Sequence, residues 1–320
     1  MRRRFTLSAL VVIYGTVVAA ASGAPQQGDA RQAPPDGRGE ARAAAYLVTE
    51  VPKWRREHAC YSCHNNGDGA RALLAASRAG QSFVGASVGA SVDAALDDTL
   101  TWLSAPERWD ANARRGGSEE LPLGRIQFAS ALAAMSVTGR AVPMSTLDRA
   151  AALVVPHQQA DGSWWPNPSQ TLGTATVYGR ALSTALARQA VAKSSTIAAQ
   201  SSRIKADQWL RGAQPVTVLD ASSILVGLED AADEAATAQR ARCFEILKQG
   251  EAPGGGWGPY VTSPPEVFDT ALAMLALTAS TRPAASSARE DRDAALKRGR
   301  EYLLEAQNID GSWTETTRPS

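Results

Sequence analysis

Gln158-Gln159-Ala160-Asp161-Gly162-Ser163-Trp164 returns near the C-terminus as Gln307-Asn308-Ile309-Asp310-Gly311-Ser312-Trp313. A looser copy lies between them, from Gln249 through Gly254-Gly255-Gly256 to Trp257. Each copy follows a stretch that reads as a helix, and the first two in chain order are followed by another. A loop recurring at the same point of a helix pair marks a repeat architecture. Gln158, Gly162, Trp164, Gln249, Trp257, Gln307, Gly311 and Trp313 are therefore the expected structural residues of the repeat.

Working outward from these loops, apolar spacing predicts helices over residues 41–54, 70–79, 92–103, 125–137, 146–155, 174–192, 196–212, 219–228, 232–248, 267–278 and 289–306. Ser145 is the expected N-cap of the fifth, and residues 106–123 read as a long polar loop containing Trp109. The helices alternate in character. Residues 41–54, 196–212, 232–248 and 289–306 are amphipathic and charged, whereas 70–79, 125–137, 219–228 and 267–278 are apolar and small. A helix apolar all round is buried and one with a polar face borders solvent. Alternation of the two predicts an all-α fold of two concentric rings, an α/α toroid, with an open solenoid of helix pairs as the rival. No strand pattern stands out.

Composition narrows the functional classes. The 320 residues are 44% hydrophobic, enough for a sizeable helical core. Lys plus Arg is 33 against 32 Asp plus Glu, which gives no electrostatic case for nucleic acid or an anionic surface. Aromatic residues make up only 6%, yet eight of them are Trp, and at least three of those sit in the loops. Arg2-Arg3-Arg4 followed by an apolar run to Ala21 reads as an export signal over residues 1–24, with residues 25–40 a disordered linker. The run is short for a bilayer span. A periplasmic or extracellular protein is expected, touching a membrane only through an uncleaved signal.

Lys297-Arg298-Gly299, Tyr302-Leu303 and the span from Gln307 to Trp313 resemble the "QW" repeat of squalene-hopene cyclases and related prenyltransferase-type toroids. The pattern is a basic residue and Gly, an aromatic residue or Leu, then Gln, and finally Gly-x-Trp. The resemblance implies an (α/α)6 barrel over residues 41–320, with Gln and Trp tying neighbouring helices together at one rim. Counted this way, the inner helix that should follow Trp313 is missing. The ring is then open at that seam, closed by a partner, or cut short.

Cyclase chemistry does not follow. The family protonates its substrate with Asp-x-Asp-Asp, and the nearest string here, Ala95-Leu96-Asp97-Asp98-Thr99, lacks the first Asp and reads as a solvated helix face. Aromatic residues that could stabilise a carbocation are few on the inner helices: Tyr178, Phe268 and Phe128. The zinc that protein prenyltransferases hold by Asp, Cys and His is not visible either, and Cys243 is left over as a buried or free thiol. Asp269 and Asp220 open two inner helices, as dipole-favoured acids or as a polar ring at a cavity mouth.

The strongest chemical signal is Cys60-Tyr61-Ser62-Cys63-His64. Cys-x-x-Cys-His reads as a c-type haem attachment site, with His64 an axial ligand of the iron. Met135, Met144 and His157 are candidate sixth ligands. The rival readings are a disulfide, a zinc site completed by His58 or Asp68, and a structural variant of the repeat loop. Together these residues predict an exported binding or redox-associated protein with an apolar or isoprenoid ligand. The alternative is a cyclase-like enzyme whose acid is unidentified.

Overall fold

The computed structural model describes residues 38–58, 63–80, 86–115, 121–166, 179–279 and 286–314. Among these the fold is all-α, with isolated two-residue bridges and no sheet. In chain order the helices are α1 (Arg38–His58), α2 (Ala70–Ala79), α3 (Ala86–Leu103), α4 (Leu121–Ser136), α5 (Met144–Val154), α6 (Gly179–Val191), α7 (Ile197–Gly212), α8 (Val218–Gly227), α9 (Glu234–Gly250), α10 (Val267–Ala279) and α11 (Ser286–Glu305). A wide-turned helical segment, Cys63–Gly69, runs directly into α2.

The predicted alternation is present. Helices α4, α6, α8 and α10 are buried on nearly every side. Helices α7 and α9 bury only a stripe. Six helices of the second kind (α1, α3, α5, α7, α9 and α11) share one register. Leu47, Leu103, Val154, Leu210, Leu247 and Leu303 occupy its aliphatic position and are each no more than 2% exposed. The residue before each is bulky and packs on the core: Tyr46, Trp102, Leu153, Trp209, Ile246 and Tyr302. Four residues before the aliphatic position stands a buried small residue: Ala43, Thr99, Ala150, Ala206, Cys243 or Gly299. The lone Cys243 is thus a small core residue of the repeat. Burial pushes its thiol up to about 12, so it stays neutral.

The loops do two jobs. Each Trp ends the helix before it. The indole N–H of Trp164 donates to the Val154 carbonyl at 2.9 Å, that of Trp257 to Leu247 at 2.8 Å, and that of Trp313 to Leu303 at 2.7 Å. These carbonyls belong to last turns, where no intrahelical N–H remains to bind them. Trp109 does the same for Leu103 at 3.2 Å, so the stretch read as a long polar loop hides a shortened fourth copy. In that stretch the chain forms a 3₁₀ segment, Pro106–Arg115, and is helical again from Leu121.

Each Gly seats the helix after it. Gly162, Gly255 and Gly311 all have φ near +90°, and a Cβ would collide with the backbone of Lys205 in α7, Arg298 in α11 and Arg42 in α1 respectively. The opening residue of each loop grips the same helix. Gln158 Nε2 donates to the Ser202 carbonyl at 2.8 Å, and Gln307 Nε2 to Gly39 at 2.9 Å. In the middle copy that residue is Glu251, not Gln249: Glu251 pairs with Trp257 across the loop as Gln158 pairs with Trp164, and it holds Arg298 at 2.7 Å. The Asp-Gly-Ser order has a local cause. Asp161 and Asp310 accept from the backbone N–H and the hydroxyl of Ser163 and Ser312.

Two expectations change at the seam. Helix α1 begins at Arg38, within the stretch read as linker, and Glu40 is buried. The last loop, expected to border an open or cut-short seam, is held by α1. Arg42 donates to Gln307 Oε1 at 2.7 Å and Arg300 pairs with the buried Glu40 at 2.7 Å, so the two ends of the described chain are joined. The expected cap of α5 also shifts: the residue before its first turn is Pro143, and Ser145 lies inside the helix. No helix among the described residues is long and apolar enough to cross a membrane.

Gly311→Ala is expected to lower stability by about 2 kcal/mol, because it adds a Cβ at positive φ against the Arg42 carbonyl. Gly254→Ala in the middle loop, where nothing lies within 4 Å, should be nearly neutral. Denaturant unfolding of the two variants checks this.

Candidate functional site

Helix α1 outruns its counterparts. Helices α3 and α5 end at the aliphatic repeat residue, α7, α9 and α11 two or three residues beyond it, and α1 eleven residues beyond Leu47, at His58. At 1.5 Å per residue the extension is about 16 Å. The Cys-x-x-Cys-His motif follows it, in the place of a Trp loop. Cys60 lies outside the described residues. Cys63 and His64 open the wide-turned segment, and their side chains lie outside the described ones. The segment Cys-His-Asn-Asn-Gly-Asp-Gly holds weak helix formers, which suits its loose winding. Wide turns of this kind are frequent at functional sites.

Gly67 presses this segment against α4, where a Cβ would stand 2.7 Å from Gln127 Cβ. Behind it lies a buried polar cluster. Asp68, almost wholly buried, is ion-paired with Arg71 and accepts from Gln127 Nε2 at 3.2 Å. Arg71 Nη1 donates to Ser130 Oγ at 3.3 Å, and Ser130 Oγ donates to the Gln127 carbonyl at 3.1 Å. Gln127 is fully buried and its Oε1 has no hydrogen-bond partner among the described residues. Reading the sequence missed Arg71, Gln127 and Ser130. The available signal was a Gln within the otherwise apolar helix over 125–137.

The other nominated residues have separate places. Asp97 and Asp93 face solvent on α3 and share Arg140, the solvated reading of the Asp-Asp string. Asp220 takes the bland role, in a capping box with Thr217 at the start of α8. Asp269 is buried in the first turn of α10, and Phe268 and Phe128 are buried beside their helices' cores, while Tyr178 lies outside the described residues. Of the candidate sixth ligands, Met135 is in the core of α4, Met144 is exposed on α5, and His157 Nε2 is bound to Arg125 at 2.7 Å. Arg125 in turn is held by Asp110. No group of three metal-ligating side chains forms among the described residues.

Compared with known proteins, the chain matches no protein-family model, and it has no significant match among curated proteins.

Burial first, and then the Arg125 charge, holds His157 below the usual imidazole value. An unfolded His takes up its proton from about pH 6.5 downward. The folded ring resists it, so this group's contribution is complete above that pH and falls away below it. His157→Gln should therefore flatten the dependence of unfolding free energy on pH between about 5 and 7.

Proposed function

We propose that the chain is an exported α/α toroid of the squalene-cyclase and prenyltransferase kind that binds an apolar, isoprenoid-like molecule rather than transforming it. In this reading six outer helices close through the grip of the last loop on α1, and α4, α6, α8, α10 and the helix opening at Cys63 line the interior. The observation that carries binding over catalysis is Asp97. The closest approach to a cyclase acid string is exposed on the outer side and engaged with Arg140.

Cys60, Cys63 and His64 are proposed to carry a covalent haem, two thioethers and one axial imidazole. What supports this reading is the Cys-x-x-Cys-His order itself, which follows the extended α1 in the chain. A zinc set completed by Asp68 rather than His58 is favoured less, because Asp68 is committed to Arg71 and Gln127. Bound haem would supply one-electron redox chemistry. Co-expression with a haem-attachment apparatus tests this. The expected result is a Soret band that Cys60→Ala with Cys63→Ala abolishes. A chain that holds one zinc and shows no band contradicts it.

One observation favours a second reading, an enzyme of the cyclase kind. Asp269 is a carboxyl group only 1% exposed, the one acidic residue on the largely apolar α10. Incubation with squalene, followed by product analysis of the unaltered chain and of Asp269→Asn, decides between the two. The binding reading expects unreacted squalene from both.

A further inference from the structure

Two of the loops are followed by the same order of parts. The 158–164 loop leads into α6, and α6 leads into α7, the helix that Gln158 and Gly162 meet. The 251–257 loop leads into α10, and α10 leads into α11, which Glu251 and Gly255 meet. A threonine of the intervening helix takes the Trp backbone N–H in each: Thr184 for Trp164 and Thr270 for Trp257, both at 2.9 Å. The 307–313 loop meets α1 in the same way, yet no described helix stands between the two. Among the described residues no acceptor reaches the backbone N–H of Trp313, a residue 1% exposed. A buried N–H left so is costly. The packing marks the same place. Cys63–Gly69 packs on α4, α4 on α6, α6 on α8 and α8 on α10. Helix α10 shares no comparable face with α2 or Cys63–Gly69 among the described residues, although it is buried on nearly every side.

We propose that residues 5–21 stay in the folded protein as the helix of this place, with the Ser8 hydroxyl accepting from the Trp313 N–H. Chain order supports it. Helices α6 and α10 each run into the helix that their loop grips, and residues 5–21 are the apolar stretch that precedes α1. Composition supports it too: the run holds no charged residue, as suits a helix buried all round. Ser8-Ala9-Leu10 repeats the order of Thr184-Ala185-Leu186 and Thr270-Ala271-Leu272, whose threonines hold Trp164 and Trp257. Residues 22–37 then lead into α1, as residues 192–196 lead from α6 into α7. This inference rests on the closed ring proposed above, not on its ligand or its haem. It requires that the run, which also reads as an export signal, is not removed.

Limited trypsin cleavage of the purified full chain tests it, because Arg31 is the one basic residue between residues 22 and 37. After a cut there, the fragment ending at Arg31 should stay with the rest of the chain on gel filtration without detergent. Release of the fragment overturns the proposal, as does an exported chain recovered without residues 1–24. Hydrogen exchange tests the contact itself. Ser8→Ala should speed exchange of the Trp313 amide about fivefold, the effect of losing one hydrogen bond, and Thr6→Ala should not. Equal rates in Ser8→Ala and the unaltered chain also overturn it. Where Ser8→Ala does not fold, the trypsin result on the unaltered chain decides. A Glu40–Arg300 double-mutant cycle separates two kinds of failure. Coupling together with a released fragment sinks this proposal alone, whereas additivity sinks the closed ring with it.

Discussion

The structure depends on one buried contact, an indole N–H given to a carbonyl of the preceding helix's last turn. Trp109, Trp164, Trp257 and Trp313 all make it, and all are at most 2% exposed. A helix end buried without such a donor would leave carbonyls unsatisfied, and a Trp supplies the donor together with a large apolar surface. The same contact fixes where the chain goes next. In the three later loops, with the indole pinned, the Gly two residues before it meets α7, α11 or α1 backbone to backbone, closer than any Cβ allows. One loop therefore ends one helix and places another. Two of the loops also place the helix that follows them, α6 and α10: the backbone N–H of Trp164 and of Trp257 is bound by Thr184 and Thr270 at 2.9 Å.

Two junctions are built otherwise, and each shows what the Trp replaces. Between α7 and α8 a capping box at Thr217 starts α8, and Val218 N–H donates to Pro259 in the neighbouring loop at 3.0 Å. The grip between α7 and α9 runs backwards there, from Gln239 of α9 to the Ala213 carbonyl at 2.6 Å. Between α1 and α2 the helix overruns and the Cys-x-x-Cys-His motif takes the loop's place. Of the two junctions without the Trp, this one carries the Cys-x-x-Cys-His motif, and the buried Asp68 follows it in the chain.

Most of the scaffold was legible because its rules are local. Helical periodicity marked the elements, and the identical Asp-Gly-Ser-Trp runs marked two loops. The rest was hidden for physical reasons. Glu251 replaces the expected Gln because an ion pair with Arg298 grips the next helix as well as an amide does, and Gln249 merely mimics the spacing. Trp109 escaped because its loop is four residues shorter between carbonyl and indole than the others, so no Gly-x-Trp precedes it. The N-terminal boundary was misplaced because Gly39 and Glu40 draw their helical stability from residues more than 250 positions away. The polar cluster joins residues 59 apart, beyond the reach of any local pattern.

The claim that organises all of this is that the last loop closes the chain on its first helix. A double-mutant cycle between Glu40 and Arg300, two residues paired at 2.7 Å across 260 positions, tests it most directly. Glu40→Ala, Arg300→Ala and the double variant would be compared by denaturant unfolding. A closed chain predicts an interaction energy of about 1 kcal/mol or more, since contacting pairs are not additive. Strictly additive losses would mean that α1 and α11 are not joined, and would contradict the closure.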